Sequence, residues 1–426
     1  MPDTSENWIE TLLKNSFEAT EKEATSARAK EGQLIRLLIN ASKSLQANRR
    51  GLALGKVFAA AFDLLVATDY YSSVAHKNWF YCGMHGEPRL YYHFTNCCPR
   101  CALQNEFHFN QSSKPGSGNI GKSTSRLLRA FLNELLKEFG RPERVLKGVE
   151  PVDTVIVNEI DKKLFFGEIK ASPLVTLPLS VESEPITVET ESGVVAESHS
   201  RTDNSNLFAK DMSIFLPLRK SDDHWSESYA LIGHPKGVKN SDWATDGMIT
   251  LLQNNAMFFD SYYQFWDQAI FHYFPKLSNS IFWLTNGCGA PDPRPEGWPR
   301  RRGGDGDGFE TISDSKTSVG MDRTDDIKKG IYQVLKLGAE GKQIKSAWEF
   351  KVGIVSNIHA ARHFEEYLKS LKDFVWTTDS TGNAKLVKDL PPDQSVYNLF
   401  DGIVTLTTSV FRDQWLANAF SFLGDG

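Results

Sequence analysis

The stretch Pro151–Ser172, PVDTVIVNEIDKKLFFGEIKAS, decides the fold. Two apolar runs, VIV (155–157) and LFF (164–166), flank the polar turn Asn158–Lys162. That pattern predicts a β-hairpin over Val152–Asn158 and Lys163–Lys170 with its apolar positions buried. Inside it stand three ionisable groups, Asp153, Glu168 and Lys170. Charges in such a setting are costly unless they pair or bind an ion. Glu168 and Lys170, two residues apart, share one strand face, and Asp153 starts the paired strand, where it can approach them.

Outward from the hairpin, Glu143–Gly148 reads as a further strand. Ser123–Phe139 (STSRLLRAFLNELLKEF) has apolar residues at helical spacing, a hydroxyl N-cap candidate, and Gly140 and Pro142 as stop signals. Downstream, Asp325–Gly338 reads as a helix, Glu349–Asn357 as a strand and His359–Leu371 as another helix, within which His359 and His363 are ordinary residues. With residues 171–320 set aside as an insertion, the order is helix, three strands, helix, strand. The expectation is an α/β protein in five regions. These are a helical region (1–75), a small zinc module (76–110), two halves of one core (111–170 and 321–426), and the insertion (171–320). Within the insertion, Phe215–Arg219 and Ser280–Thr285 read as strands and Met257–Phe274 as an aromatic helix for the core or a dimer interface.

Two carboxylates held close resist joint ionisation unless a cation sits between them. Oxygen ligands with room for water suit Mg²⁺, and a neighbouring lysine can orient or deprotonate an attacking water. The pattern therefore points to metal-assisted phosphodiester hydrolysis.

These residues resemble the PD-(D/E)XK nuclease superfamily, which includes most type II restriction endonucleases. Pro151 and Asp153, separated by Val152, correspond to the PD element, and Glu168-Ile169-Lys170 to the (D/E)XK element. The resemblance implies a restriction-endonuclease-like core in which a three-stranded meander follows a helix and precedes a helix and strand. It implies Asp153, Glu168 and the Ile169 carbonyl as Mg²⁺ ligands and Lys170 as the catalytic lysine. Glu134, ahead of Glu138, is the candidate for an added glutamate from the preceding helix. The implied activity is site-specific cleavage of double-stranded DNA by a homodimer in a prokaryotic cytoplasm, alongside a cognate DNA methyltransferase. The insertion would then carry specificity or dimerisation elements.

In YCGMHGEPRLYYHFTNCCPRC, Cys82-x-x-His85 and Cys98-x-x-Cys101 form two knuckle-like pairs. Zinc prefers four tetrahedral N/S ligands, and a filled set is a structural site rather than a hydrolytic one. His93 and Cys97 are substitutes for individual ligands, and Cys288 packs alone. Gly116–Ser123, GSGNIGKS, matches the phosphate-loop pattern GxxxxGK[ST] letter for letter, but the preceding FHFNQSSKP is not a buried strand. The other reading of this segment is a helix entry whose Lys114, Lys122 and Arg126 touch DNA phosphates. Arg300, Arg301 and Arg302, beside Trp298 in a Gly/Pro loop, are further DNA-contact candidates, whereas Asp305–Gly308 is a turn.

The 426-residue chain carries 48 Lys and Arg against 53 Asp and Glu, so no uniformly basic surface exists and a DNA interface must be a local cleft. Leu52–Ala67, interrupted by Lys56 and Asp63, falls short of a bilayer span. The first residues lack a basic-then-apolar export signal, and five cysteines, four of them clustered, do not make a secreted disulfide framework. A cytosolic protein is expected. Two alternatives to the nuclease remain at this point. One is a zinc-stabilised DNA-binding protein in which Asp153, Glu168 and Lys170 form an ion pair, and the other is an NTPase using Gly116–Ser123.

Overall fold

The computed structural model describes residues 8–25, 30–94, 97–106, 108, 115–221, 224–235, 242–273, 285, 319–322, 324–342, 344, 346–360, 363–369, 377–379, 383 and 396–424. Lys114, Cys288, Trp298, Arg300, Arg301, Arg302, Asp305–Gly308 and nearly all of the expected strand Ser280–Thr285 lie outside them. The protein is mixed α/β, built on helices and two six-stranded sheets.

The chain opens with α1 (Trp8–Thr25), α2 (Glu31–Asn48) and α3 (Leu54–Tyr71). Next come β1 (Trp79–Cys82), β2 (Arg89–Tyr92), α4 (Pro99–Leu103) and α5 (Ser117–Glu138), then β3 (Arg144–Lys147), β4 (Thr154–Asn158) and β5 (Lys163–Ile169). The insertion supplies β6 (Leu179–Glu182), a hairpin of β7 (Thr187–Thr190) and β8 (Gly193–Ala196), β9 (His199–Thr202) and β10 (Met212–Phe215). It continues with a second hairpin of β11 (Leu218–Ser221) and β12 (His224–Ser226), then β13 (Tyr229–Gly233), α6 (Trp243–Asn254) and α7 (Ala256–Tyr273). After it come α8 (Thr324–Gly341), β14 (Glu349–Ser356), the paired β15 (Thr377–Asp379) and β16 (Val396–Asn398), β17 (Gly402–Thr405), β18 (Val410–Phe411) and a short helix, Gln414–Ala419.

The first sheet has the order β3-β4-β5-β14-β17-β18. β3, β4 and β5 form an antiparallel meander, β14 lies parallel to β5, and β17 parallel to β14. Side-chain alternation divides its core. Val145, Ile156, Phe165, Val355 and Val404 face α3 and α5, while Leu146, Val155, Val157, Leu164, Phe166, Val352 and Ile354 face α1 and α8. Phe165 and Phe166 are both fully buried, one on each face, each contributing roughly 1.5–3 kcal/mol by burial. Strand contact in the parallel part is close: a Cβ on Gly353 would lie 1.9 Å from the Gly402 carbonyl oxygen, so only glycine fits there.

The second sheet, β13-β10-β6-β2-β1-β9, is antiparallel and mixes segments from before and after residues 111–170. Residues 76–110 are therefore not a separate module, because β1 and β2 pair with strands of the insertion. Phe215–Arg219 is not one strand: β10 ends at Phe215 and β11 begins at Leu218. α7 buries Phe258, Phe259, Tyr262, Tyr263, Phe265 and Trp266 within this chain's own core. Of the expected helix His359–Leu371, His359 and Ala360 are not helical, and the described helical part is π-helical at Phe364–Leu368.

Candidate active site and metal centre

β5 leads Glu168 and Lys170 out on the face covered by α8, the same side as Leu164 and Phe166. The Lys170 stem passes close to Gly330 of α8, and its amide continues the parallel ladder by donating to Val355 O at 2.9 Å. Its Nζ lies 2.6 Å from Glu168 Oε1, and both side chains are largely buried. Asp153 precedes β4, where its amide donates to Gly167 O at 3.2 Å. Its carboxylate then takes the place of a ladder carbonyl, accepting the Ile169 amide at 2.9 Å through Oδ2. The structure thus brings Asp153, Glu168 and Lys170 together at the exit of β5.

Burial, and after it the neighbouring Asp153 charge, pushes the Glu168 carboxyl above its usual range, with Lys170 pulling the other way. Two carboxylates and one ammonium in a half-buried cluster can share or move a proton. They also supply the hard oxygen donors that a divalent cation takes. Nearby, Arg129 is neutralised by Glu23 at 2.7 and 2.9 Å, and its Nη1 donates to the Asp153 carbonyl at 3.4 Å.

Other expected members are placed elsewhere. Glu134 pairs with Lys137 at 2.9 Å and Arg36 of α2 at 3.6 Å, so it does not join the acid pair. Glu138 pairs with Lys43. Helix geometry explains this: α5 turns the side bearing Asn133 to β3, where it bonds Val145, and the side bearing Glu134 to α2. Ile169 contributes its amide to Asp153, and its side chain is buried.

The phosphate-loop reading is corrected. Residues 117–123 are the first turns of α5, and among the described residues no strand leads into them. A helix cannot wrap its amides around a phosphate as a loop does. Ser123 donates to Asp69 rather than being free for an ion. Lys122 is exposed, whereas Arg126 is occupied by Glu31 at 2.6 Å and Asp69 at 3.6 Å.

The cysteine segment forms a second cluster. Cys82, Cys98, Cys101 and His199 each present one ligand atom, all within 4.8 Å of one another, and the three cysteines are fully buried. Tetrahedral zinc, with Zn–S of about 2.3 Å and Zn–N of about 2.0 Å, needs S···S edges of about 3.8 Å and S···N edges of about 3.5 Å. The observed edges are 3.9 Å for Cys82–Cys101, 3.5 Å for Cys82–His199 and 3.1 Å for Cys101–His199. The donor set therefore fits a metal such as zinc. Hydrogen bonds from Cys101 and Cys98 hold the Cys82 thiol below its usual range, while burial pushes Cys98 up.

The fourth member of the cluster is His199 and not His85. β9 pairs with β1 in a register that sets His199 directly opposite Cys82. His85 is exposed at the tip of the β1–β2 hairpin in a left-handed conformation (φ 68°), with Nε2 3.7 Å from Cys101 Sγ, beside Glu106. Arg100, buried in α4, fixes that tip by donating to the Met84 and Glu87 carbonyls. His93 and Cys97 are buried outside the four-residue cluster. A histidine opening a strand across the insertion carries no local spacing signal, which is why the sequence pattern missed it.

Among the described residues no helix is long and apolar enough to cross a membrane. No family model, curated protein or solved structure matches this chain.

Proposed function

We propose that the protein is a Mg²⁺-dependent endonuclease that hydrolyses phosphodiester bonds of double-stranded DNA at specific sites, in the manner of a PD-(D/E)XK type II restriction enzyme. One observation carries the reading: the Asp153 and Glu168 carboxylates meet at the exit of β5 with the Lys170 ammonium 2.6 Å from Glu168. The helix, meander, helix and parallel-strand order around them supports it.

The residues fit a magnesium ion, because a carboxyl raised by burial and by a second carboxylate is relieved when a hard dication joins them. Asp153 and Glu168 would hold it, and when bound it supplies charge neutralisation at the scissile phosphate. Lys170 lies on the same strand face as Glu168, so its ammonium can orient a water or stabilise phosphate charge. Burial of the cluster strengthens each of these electrostatic effects. A homodimer would set one such site on each strand of a palindrome.

The test is incubation of the purified protein and its Lys170→Ala variant with long unmethylated DNA in Mg²⁺, Ca²⁺ or EDTA. Discrete fragments that need both Mg²⁺ and Lys170 are the expected result. Intact DNA throughout, with binding unchanged by the substitution, would replace this reading with a zinc-stabilised DNA-binding protein.

A further inference from the structure

The chain immediately after Lys170 runs through the interior, where each peptide group needs a partner. The Lys170 amide donates to Val355 O, and the Ala171 carbonyl accepts Thr124 Oγ1 at 3.1 Å. Ser172 is held from both sides by one amide side chain: its N–H donates to Asn357 Oδ1 at 3.2 Å and its carbonyl accepts Asn357 Nδ2 at 2.8 Å. The Leu174 and Val175 amides donate to Asp63 Oδ2 at 2.8 and 3.0 Å.

Asp63 lies on α3 and Asn357 directly follows β14, and both are fully buried. The two side chains also meet, Asn357 Nδ2 donating to Asp63 Oδ1 at 3.4 Å. Trp266 of α7 completes the arrangement, its Nε1–H reaching Asp63 Oδ2 at 2.7 Å. A buried carboxylate costs several kcal/mol, so its presence here calls for a role that an apolar residue would not fill. What it joins is specific: two strand exits of the first sheet and a helix of the insertion.

We infer that Asp63 and Asn357 form a buried clamp that positions Lys170, and that Trp266 connects the clamp to the insertion. They are positioning residues, acting on the candidate site through the backbone of residues 171–175. The catalytic consequence rests on the nuclease reading, whereas the positioning of Lys170 does not.

The decisive variant is Asn357→Ala, read first by competitive acylation of lysines followed by mass spectrometry. Release of the exit should loosen the Lys170–Glu168 pair and speed labelling of Lys170 at least about fivefold, the fold-change of one net hydrogen bond, since Asn357 makes three. Lys163, at the other end of β5, should label at its original rate. In the cleavage assay kcat should fall with KM for DNA nearly unchanged, the signature of a misplaced group. Trp266→Phe, which removes a single bond to Asp63, gives the same readouts in a milder form should Asn357→Ala not fold. Unchanged labelling of Lys170 in a folded variant would overturn the clamp. Faster labelling combined with an unchanged kcat would support the clamp and overturn its catalytic consequence. Failure of the wild-type protein to cut any DNA would sink the nuclease reading alone, with the labelling ratio still deciding the clamp.

Discussion

Asp63 makes the stability of this protein depend on pH in a way that can be worked out from its surroundings. Burial opposes its charge, while the Val175 and Leu174 amides, Trp266 and Asn357 favour it. Burial wins, raising the carboxyl from the ordinary 3.8 to about 7. The neighbouring Tyr262 hydroxyl is itself raised by burial and stays protonated through this range. An acid whose folded pKa is raised stabilises the fold fully below its unfolded value and loses that contribution as pH rises through the folded value. Roughly 3 units correspond to about 4 kcal/mol lost between about pH 4 and pH 7, or about 1.4 kcal/mol per pH unit in the middle of the window. Asp63→Asn removes the titration, so the stability difference between wild type and variant should shrink by that slope as pH rises and flatten above about pH 7.5. Other carboxyl groups titrate in both proteins and cancel in the difference. Urea unfolding at half-unit pH steps from 4.5 to 8 measures it. Parallel curves for the two proteins would refute the argument, showing that four hydrogen bonds outweigh desolvation at this site.

Two further outcomes follow from other buried groups. Purified protein should carry one zinc ion per chain, and His199→Ala should weaken zinc retention against a chelator by at least about tenfold while His85→Ala leaves it intact; equal loss in the two would reject the His199 assignment. Lys342 reaches Asp401 Oδ2 at 2.6 Å in the interior, where burial lowers the lysine and raises the aspartate. Lys342→Met strands that carboxylate and should cost about 3–5 kcal/mol in urea unfolding, much of it recovered by adding Asp401→Asn.

The parts of this structure legible in the sequence are those whose signal is local. The meander is legible because VIV and LFF are separated by a turn whose Lys162 takes a left-handed conformation (φ 53°). α5 is legible from its apolar spacing, and the meeting of Asp153, Glu168 and Lys170 follows from strand alternation plus one antiparallel pairing. What was not legible depends on which distant segments pair. Period-2 alternation says which face a strand buries but not which strand lies beside it. The cysteine segment accordingly reads as its own module, although β2 pairs with β6 and β1 with β9 from the insertion. His199 joins the cysteine cluster by that same pairing. The phosphate-loop match failed for the converse reason: its letters are local, but the function it signals needs a preceding buried strand, and the chain instead begins a helix at Ser117.

Asp63 shows how the same limit hides residues that organise the fold. In LALGKVFAAAFDLLVA it is one acid in an apolar helix, and its only consequence for the sequence reading is to interrupt a run already too short for a bilayer span. Its partners lie 111, 112, 203 and 294 residues away. Each of those contacts is made only after the two sheets and α7 have closed around α3, so no window of sequence contains the reason for the charge. A buried acid interrupting an otherwise apolar helix is thus a marker of long-range organisation, and here the organisation converges on the strand exit that carries Lys170.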